Sequence, residues 1–228
     1  MRRKQSAPGR PVEEASHPRG IRPSGSSKVM HDIGGTVITV AFSSDNELYA
    51  AGGTDKIAHV WNNARHEEIA AIHLDDTITY LLFAKDDRVN AKLLVGTMGG
   101  TIHVFDVDTQ REDHAQMFGR GDKIESMAIA SGRSREQTLV VGGRFVIVYR
   151  FAYVEGGQLE FRELCHLKPT GGLNSLAIDK RGELLVTGGE AKVVEIWSIP
   201  HAIDGGKSES AQGRKPSSVS PLLCHRKR

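Results

Sequence analysis

Four glycines, Gly52, Gly96, Gly142 and Gly188, stand 44, 46 and 46 residues apart, and each ends a short apolar segment. Ahead of each lies another apolar segment, at Val37–Phe42, 78–83, 124–129 and Leu173–Ile178. Behind each, a third segment closes on an aromatic: Val60-Trp61, Val104-Phe105, Val148-Tyr149 and Ile196-Trp197, the aromatics 44, 44 and 48 residues apart. Three independent landmarks that keep one spacing through four copies define an internal repeat. In the first copy, apolar and polar residues alternate through Val37, Thr39 and Ala41 and again through Ile57 and His59, the period of a half-buried strand. Ser43-Ser44-Asp45-Asn46 and Gly52-Gly53-Thr54-Asp55, suited to tight turns, separate the segments. Each copy is therefore expected to form an antiparallel meander, which cannot bury both of its faces alone. The fold has to come from stacking the copies.

A fourth strand per copy is expected at 68–72, 114–118 and 158–165. The last copy lacks one, because Pro200 cannot donate to a sheet ladder and Asp204-Gly205-Gly206 favours a turn. Residues 28–32 are the candidate for that missing outer strand. Residues 1–27 mix Pro, Gly, Ser and Arg with few bulky apolar side chains, too little to offset their ordering entropy. Three segments result: a disordered basic tail at 1–27, an all-β repeat domain at 28–203, and a second disordered basic tail at 204–228.

The 228 residues suffice for one substantial domain, and a formal net charge of +2 gives no global field that favours nucleic acid or a membrane. The two cysteines, Cys165 and Cys224, form no paired motif, so neither a disulfide framework nor a cysteine-based zinc site is expected. No apolar run approaches the roughly 20 residues of a membrane span, and the N-terminus is too polar for a signal peptide. The expected compartment is the cytoplasm. The clusters Arg2-Arg3-Lys4 and His225-Arg226-Lys227-Arg228 leave the nucleus as the alternative.

From Val37 to Asn62 the residues resemble a WD40 repeat: the opening strand with Ala41-Phe42, the Ser43 to Asn46 turn, the small-residue strand end Ala50-Ala51-Gly52, and the closing Trp61. Asp55 lies six residues before Trp61, where the family places a structural aspartate, and His31 precedes the first strand where the family often has Gly-His. Leu173 to Ser198, with Trp197, is the next best match. The middle copies diverge, with Phe105 and Tyr149 in place of tryptophan and Gly99 and Gly143 at the aspartate position; Ala191 holds that position in the fourth. The resemblance implies a β-propeller of about four WD40-like blades that acts without catalysis as a platform for other proteins. The family usually has more than four blades, so the expected arrangement is an incomplete or open ring, with a small closed ring as the alternative. His31, Asp55, Trp61, Phe105, Tyr149 and Trp197 are implied as structural residues.

Reactive constellations are not evident. His66 and His73 are seven residues apart, not at the i, i+4 spacing of a helical zinc motif. The Gly-Gly pairs end strands with no helix following, so the mechanism for phosphate binding is missing. Cys165 and His166 are adjacent on a strand and point to opposite faces. No enzyme activity, cofactor or metal is expected. Gly119-Arg120-Gly121-Asp122 reads as a turn between copies rather than an adhesion signal.

In the family arrangement, the loops before the first strand and between the second and third share one rim. Its first half carries acid, Asp32, Asp55, Asp75 and Asp76, and its second half carries base, Arg120, Lys123, Arg144, Lys168 and Lys192. These are the candidate partner-binding residues, for a protein segment of unknown identity. The leading function is an interaction scaffold. The alternative is a regulatory subunit of a larger enzyme or transport assembly, its propeller completed by another chain or by missing sequence; self-association is a further option, and nucleic acid is not expected.

Overall fold

A computed structural model describes residues 31–84, 91–131, 136–153, 159–199 and 225–226. Of the first 32 residues only His31 and Asp32 are described, and neither lies in a strand. The remainder, from Ile33, is a separate unit built from strands; among the described residues there is no helix. Most of the two expected tails therefore lies outside the described residues.

The first blade is β1 (Val37–Phe42), β2 (Leu48–Gly53), β3 (Ile57–Asn62) and β4 (Glu68–His73), hydrogen-bonded in sequence order and antiparallel throughout. The second repeats it with β5 (Ile78–Ala84), β6 (Lys92–Thr97), β7 (Thr101–Asp106) and β8 (Glu112–Met117). The third has β9 (Ser126–Ser131), β10 (Gln137–Gly142), β11 (Val146–Tyr153) and β12 (Leu159–Leu167). The fourth has β13 (Leu173–Ile178), β14 (Leu184–Gly189), β15 (Val194–Ser198) and β16 (His225–Arg226). The turns explain the hairpins: Asp45 accepts from Ser43 Oγ and the Glu47 N–H in the first, and Asp179 accepts from the Glu183 and Leu184 N–H groups in the fourth.

The fourth outer strand corrects the expectation placed on residues 28–32. It comes from β16, which pairs Arg226 with Trp197 and His225 with Ser198. Residues 28–30 lie outside the described residues. A second correction concerns Cys165, which is buried on β12 and disulfide-bonded; Cys224, the other cysteine in the sequence, lies outside the described residues.

Because side chains alternate across a strand, each blade has two faces, and successive blades bury them against one another. Ala50, Ala58, Val60 and Ala70 of the first blade meet Leu81, Phe83, Leu93 and Phe105 of the second. Leu94, Ile102 and Val104 of the second blade meet Met127, Leu139 and Tyr149 of the third. Val140, Val146 and Val148 of the third meet Leu173, Leu176 and Trp197 of the fourth. The inner strands make these junctions: β1 and β2 with β5, β5 with β9, and β9 and β10 with β13. Among the described residues no comparable packing joins the fourth blade to the first. The array is open, and it exposes Val40 and Phe42 at one end and Val186, Val194 and Ile196 at the other.

Candidate functional site

Each closing aromatic of the first, second and fourth blades is served by the residue two positions before it. In the first blade His59 stacks on Trp61 with centroids 5.6 Å apart; its Nε2 lies 3.1 Å from Asp55 Oδ2, and its Nδ1 meets Glu68 Oε1. In the second, His103 stacks on Phe105 and reaches Glu112 of the outer strand. In the fourth blade that position is Glu195, and the wiring is inverted. The Trp197 indole donates to Thr187 Oγ1 at 2.9 Å, and Glu195, which is buried, accepts from the Thr170 hydroxyl at 2.7 Å and from the Thr170 N–H at 3.0 Å. A carboxylate on the strand thus anchors the loop ahead of β13, whereas in the first blade the loop ahead of β1 is held by Thr54 Oγ1, which accepts the Thr36 N–H at 2.9 Å. Sequence reasoning misses Glu195. The signal that could have found it is the shared position two residues before the aromatic.

The expected rim residues separate into two groups. Asp55 and Asp76 are engaged inside the fold: Asp55 with His59 and the Ile57 N–H, Asp76 with the N–H groups of Thr77 and Gly99. Asp76 therefore ties the second blade's entry loop to its β6–β7 turn, the position where Asp55 acts in the first blade. Asp75 is exposed, and its carbonyl accepts from Lys56 Nζ at 2.9 Å. Asp32, like His31, lies outside the unit that begins at Ile33.

Two of the basic residues, Lys123 and Arg144, converge in one place. A cavity of about 330 Å³ at the junction of the third and fourth blades is lined by Asp122, Lys123, Arg144, Asn174 and Glu190, with Leu173 among its walls. Lys123 Nζ lies 2.8 Å from Glu125 Oε2, and the Arg144 guanidinium sits 5.7 Å from the centroid of Phe145. Arg120, Lys168 and Lys192 are exposed outside this cavity. The Gly119 to Asp122 stretch is the turn between β8 and β9, with Gly119 and Gly121 both at positive φ. Among the described residues no group of three or more His, Cys, Asp or Glu is placed to hold a metal, and no helix is long and apolar enough to cross a membrane.

Other carboxylates and phenols take their electrostatics from local structure. The Ser43 hydroxyl, then the Glu47 N–H, hold the Asp45 carboxyl below its ordinary value. For Asp179 burial pushes upward, but the backbone N–H groups of Leu184, Glu183 and Arg181 together with the Arg181 charge outweigh it and the net direction is down. Burial, with Glu163 as a lesser cause, pushes the Tyr149 phenol far up, so it stays neutral as a core residue.

Four-stranded antiparallel blades stacked through their inner strands define a propeller-type all-β protein. The WD domain, G-beta repeat family model matches residues 27–62 and 160–198, each match running through the third strand and its closing tryptophan. These matches support a WD40-repeat family assignment. The two middle blades, where Phe105 and Tyr149 replace tryptophan, keep the same strand plan although the matches leave out all of the second blade and most of the third. No curated protein gives a significant match to the chain.

Proposed function

We propose that the protein is a non-enzymatic WD40-type scaffold that binds a protein segment across the rim at its third and fourth blades. WD40 domains generally mediate protein–protein interaction, and the observation that carries the site is the cavity that gathers Lys123, Arg144, Asp122 and Glu190 around Asn174 and Leu173. Mixed charge around an apolar wall suits a peptide that presents one hydrophobic anchor between polar flanks. Asp75, Arg120, Lys168 and Lys192 lie on exposed loops and extend the surface. Asp55 and Asp76 contribute by shaping the loops rather than by touching the partner.

The test is crosslinking and recovery of partners by the full chain and by Lys123→Glu/Arg144→Glu. Loss of a partner captured by the unaltered chain supports the rim. Full retention refutes it. Asp75→Lys examines the acidic half in the same way. The compartment in this proposal is the cytoplasm, with the nucleus as the alternative. The Cys165 disulfide weighs against a reducing environment, and imaging of a fluorescent fusion decides between them.

A second reading is favoured by the open array: another chain completes the propeller, and the protein serves as a subunit. Exposed Val40, Phe42, Val194 and Ile196 on the two end blades are the observation behind it.

A further inference from the structure

The three junctions inside the chain share one construction, which can be read at the glycine near the end of the second strand of each blade. A Cβ on Gly52 would lie 3.0 Å from Ile78 Cδ1, and one on Gly96 would lie 2.7 Å from Ile124 Cγ2. A Cβ on Gly142 would collide with Leu173 Cδ2. Each glycine is a socket for the first large apolar residue of the next blade. Gly188, at the same place in the fourth blade, has nothing within 4 Å of its Cβ position. In the first blade the residue matching Ile78 and Leu173 is Val37, and it is exposed.

The rest of the two end faces follows the same rule. Val40 occupies the place of Leu81 but is 71% exposed where Leu81 is 2%. Val194 occupies the place of Val146 but is 72% exposed where Val146 is 0%. Thr39 Oγ1 accepts the Leu81 N–H across the first junction at 3.1 Å. Ser175, which pairs with Gly188 as Thr39 pairs with Gly52, puts a hydroxyl at the matching place on the fourth blade.

We propose that two copies of the chain associate head to tail, the fourth blade of each seated on the first blade of the other, to close an eight-bladed ring. This deepens the second reading above by naming the completing chain. The occupant is a second copy because this chain carries both halves of the joint. The empty socket with its hydroxyl, Gly188 and Ser175, is at one end. The unclaimed knobs, Val37, Val40 and Phe42, are at the other. One further copy fills both at once, and eight blades is within the range that propellers close. Gly182, in the β13–β14 turn, approaches Ala130 and Thr138 of the preceding blade. The matching approach between copies brings the Ser43 to Asn46 turn toward Asp179 and Leu184 of the fourth blade. An interface between two unlike patches closes into a ring or grows into a filament; the proposal is closure at two copies.

Light scattering on the full chain, of 24.9 kDa, reads the outcome. A species of twice that mass is expected at micromolar concentration. Val40→Lys and Val194→Lys both alter side chains already in water in the single chain, so folding is kept. Each is expected to weaken association by at least about tenfold, the scale of removing one well-buried apolar side chain from an interface. Gly188→Leu, which fills the socket, should do the same. Mixing Val40→Lys with Val194→Lys restores a heterodimer, because one of its two junctions pairs unaltered faces. Four results overturn the proposal: a monomer at about 100 μM, a filament, a dimer insensitive to Val194→Lys, or a mixture that stays monomeric. None of these touches Lys123 or Arg144, so failure here with rim binding retained leaves the scaffold reading standing.

Discussion

The hydroxyl of Thr39 on β1 accepts a hydrogen bond from the backbone N–H of Leu81 on β5, 3.1 Å away and 42 residues along the chain. β5 hydrogen-bonds to one neighbouring strand, β6, so this amide faces the adjoining blade instead of a ladder partner. Thr39→Val keeps the shape and removes the acceptor, which leaves a buried N–H unpaired. A loss of about 1–2 kcal/mol is expected from the denaturant midpoint. Thr39→Ser should recover most of it, and a Val variant as stable as the unaltered chain would contradict the bond.

Gly142 and Gly188 hold the same place in successive blades with opposite surroundings. Gly142→Ala drives a methyl group into Leu173 and should destabilise by about 1–3 kcal/mol through overpacking. Gly188→Ala meets open space and should stay within about 0.5 kcal/mol when melted at sub-micromolar concentration. Equal effects would mean that the junctions are not built around these glycines.

Glu195 and Thr170 are 25 residues apart and joined by two hydrogen bonds. A double-mutant cycle on Glu195→Ala and Thr170→Val should give a coupling of about 1.5–3 kcal/mol, as for buried bonds to a charged acceptor. Additive effects would show that the loop ahead of β13 is anchored by something else.

Asp45 and Asp179 both titrate below the ordinary aspartate value of 3.8. A carboxyl whose folded value lies below its unfolded one contributes stability that is fully present above the unfolded value and is lost as pH falls through the folded one. These turns should therefore hold without change from pH 7 to about 5 and loosen below about 4. Carboxyl titration by NMR checks both sites, and a value above 3.8 for either would reverse the assignment.

Much of the fold was legible because its landmarks are local. Val37–Phe42 and Leu173–Ile178 are strands at the expected bounds, and the first turn falls at Ser43 to Asn46; the second is Thr54-Asp55, with Gly52 and Gly53 still inside β2. The third opening strand lies later than expected, at Ser126–Ser131, with Ile124 ahead of it as the knob on Gly96. The fourth outer strand was not legible, since β16 pairs with β15 across a long separation and no local pattern announces it. On the rim, sequence placed charges on loops but could not show which were already committed. Asp76 looks as available as Asp75 in the sequence, yet its carboxylate is held by Gly99 and Thr77. The Glu195 network was hidden for the same reason, because Thr170 belongs to a different segment.

Within every blade the two middle strands run in unbroken register, β2 with β3, β6 with β7, β10 with β11 and β14 with β15. The irregularities fall elsewhere. β3–β4, β7–β8 and β11–β12 slip just before the aromatics Trp61, Phe105 and Tyr149, and three of the four first-to-second pairs slip at their opening residues. A bulge adds local twist and bends its strand, so mechanical compliance is confined to these seams while the central ribbon stays stiff. The first two blades are each a rigid spine between two hinges of twist, and the third and fourth have one hinge each. The pitch at which one blade follows the next can thus be adjusted at the seams without repacking a core, which is the freedom an array needs when its neighbours have to be met at a particular angle.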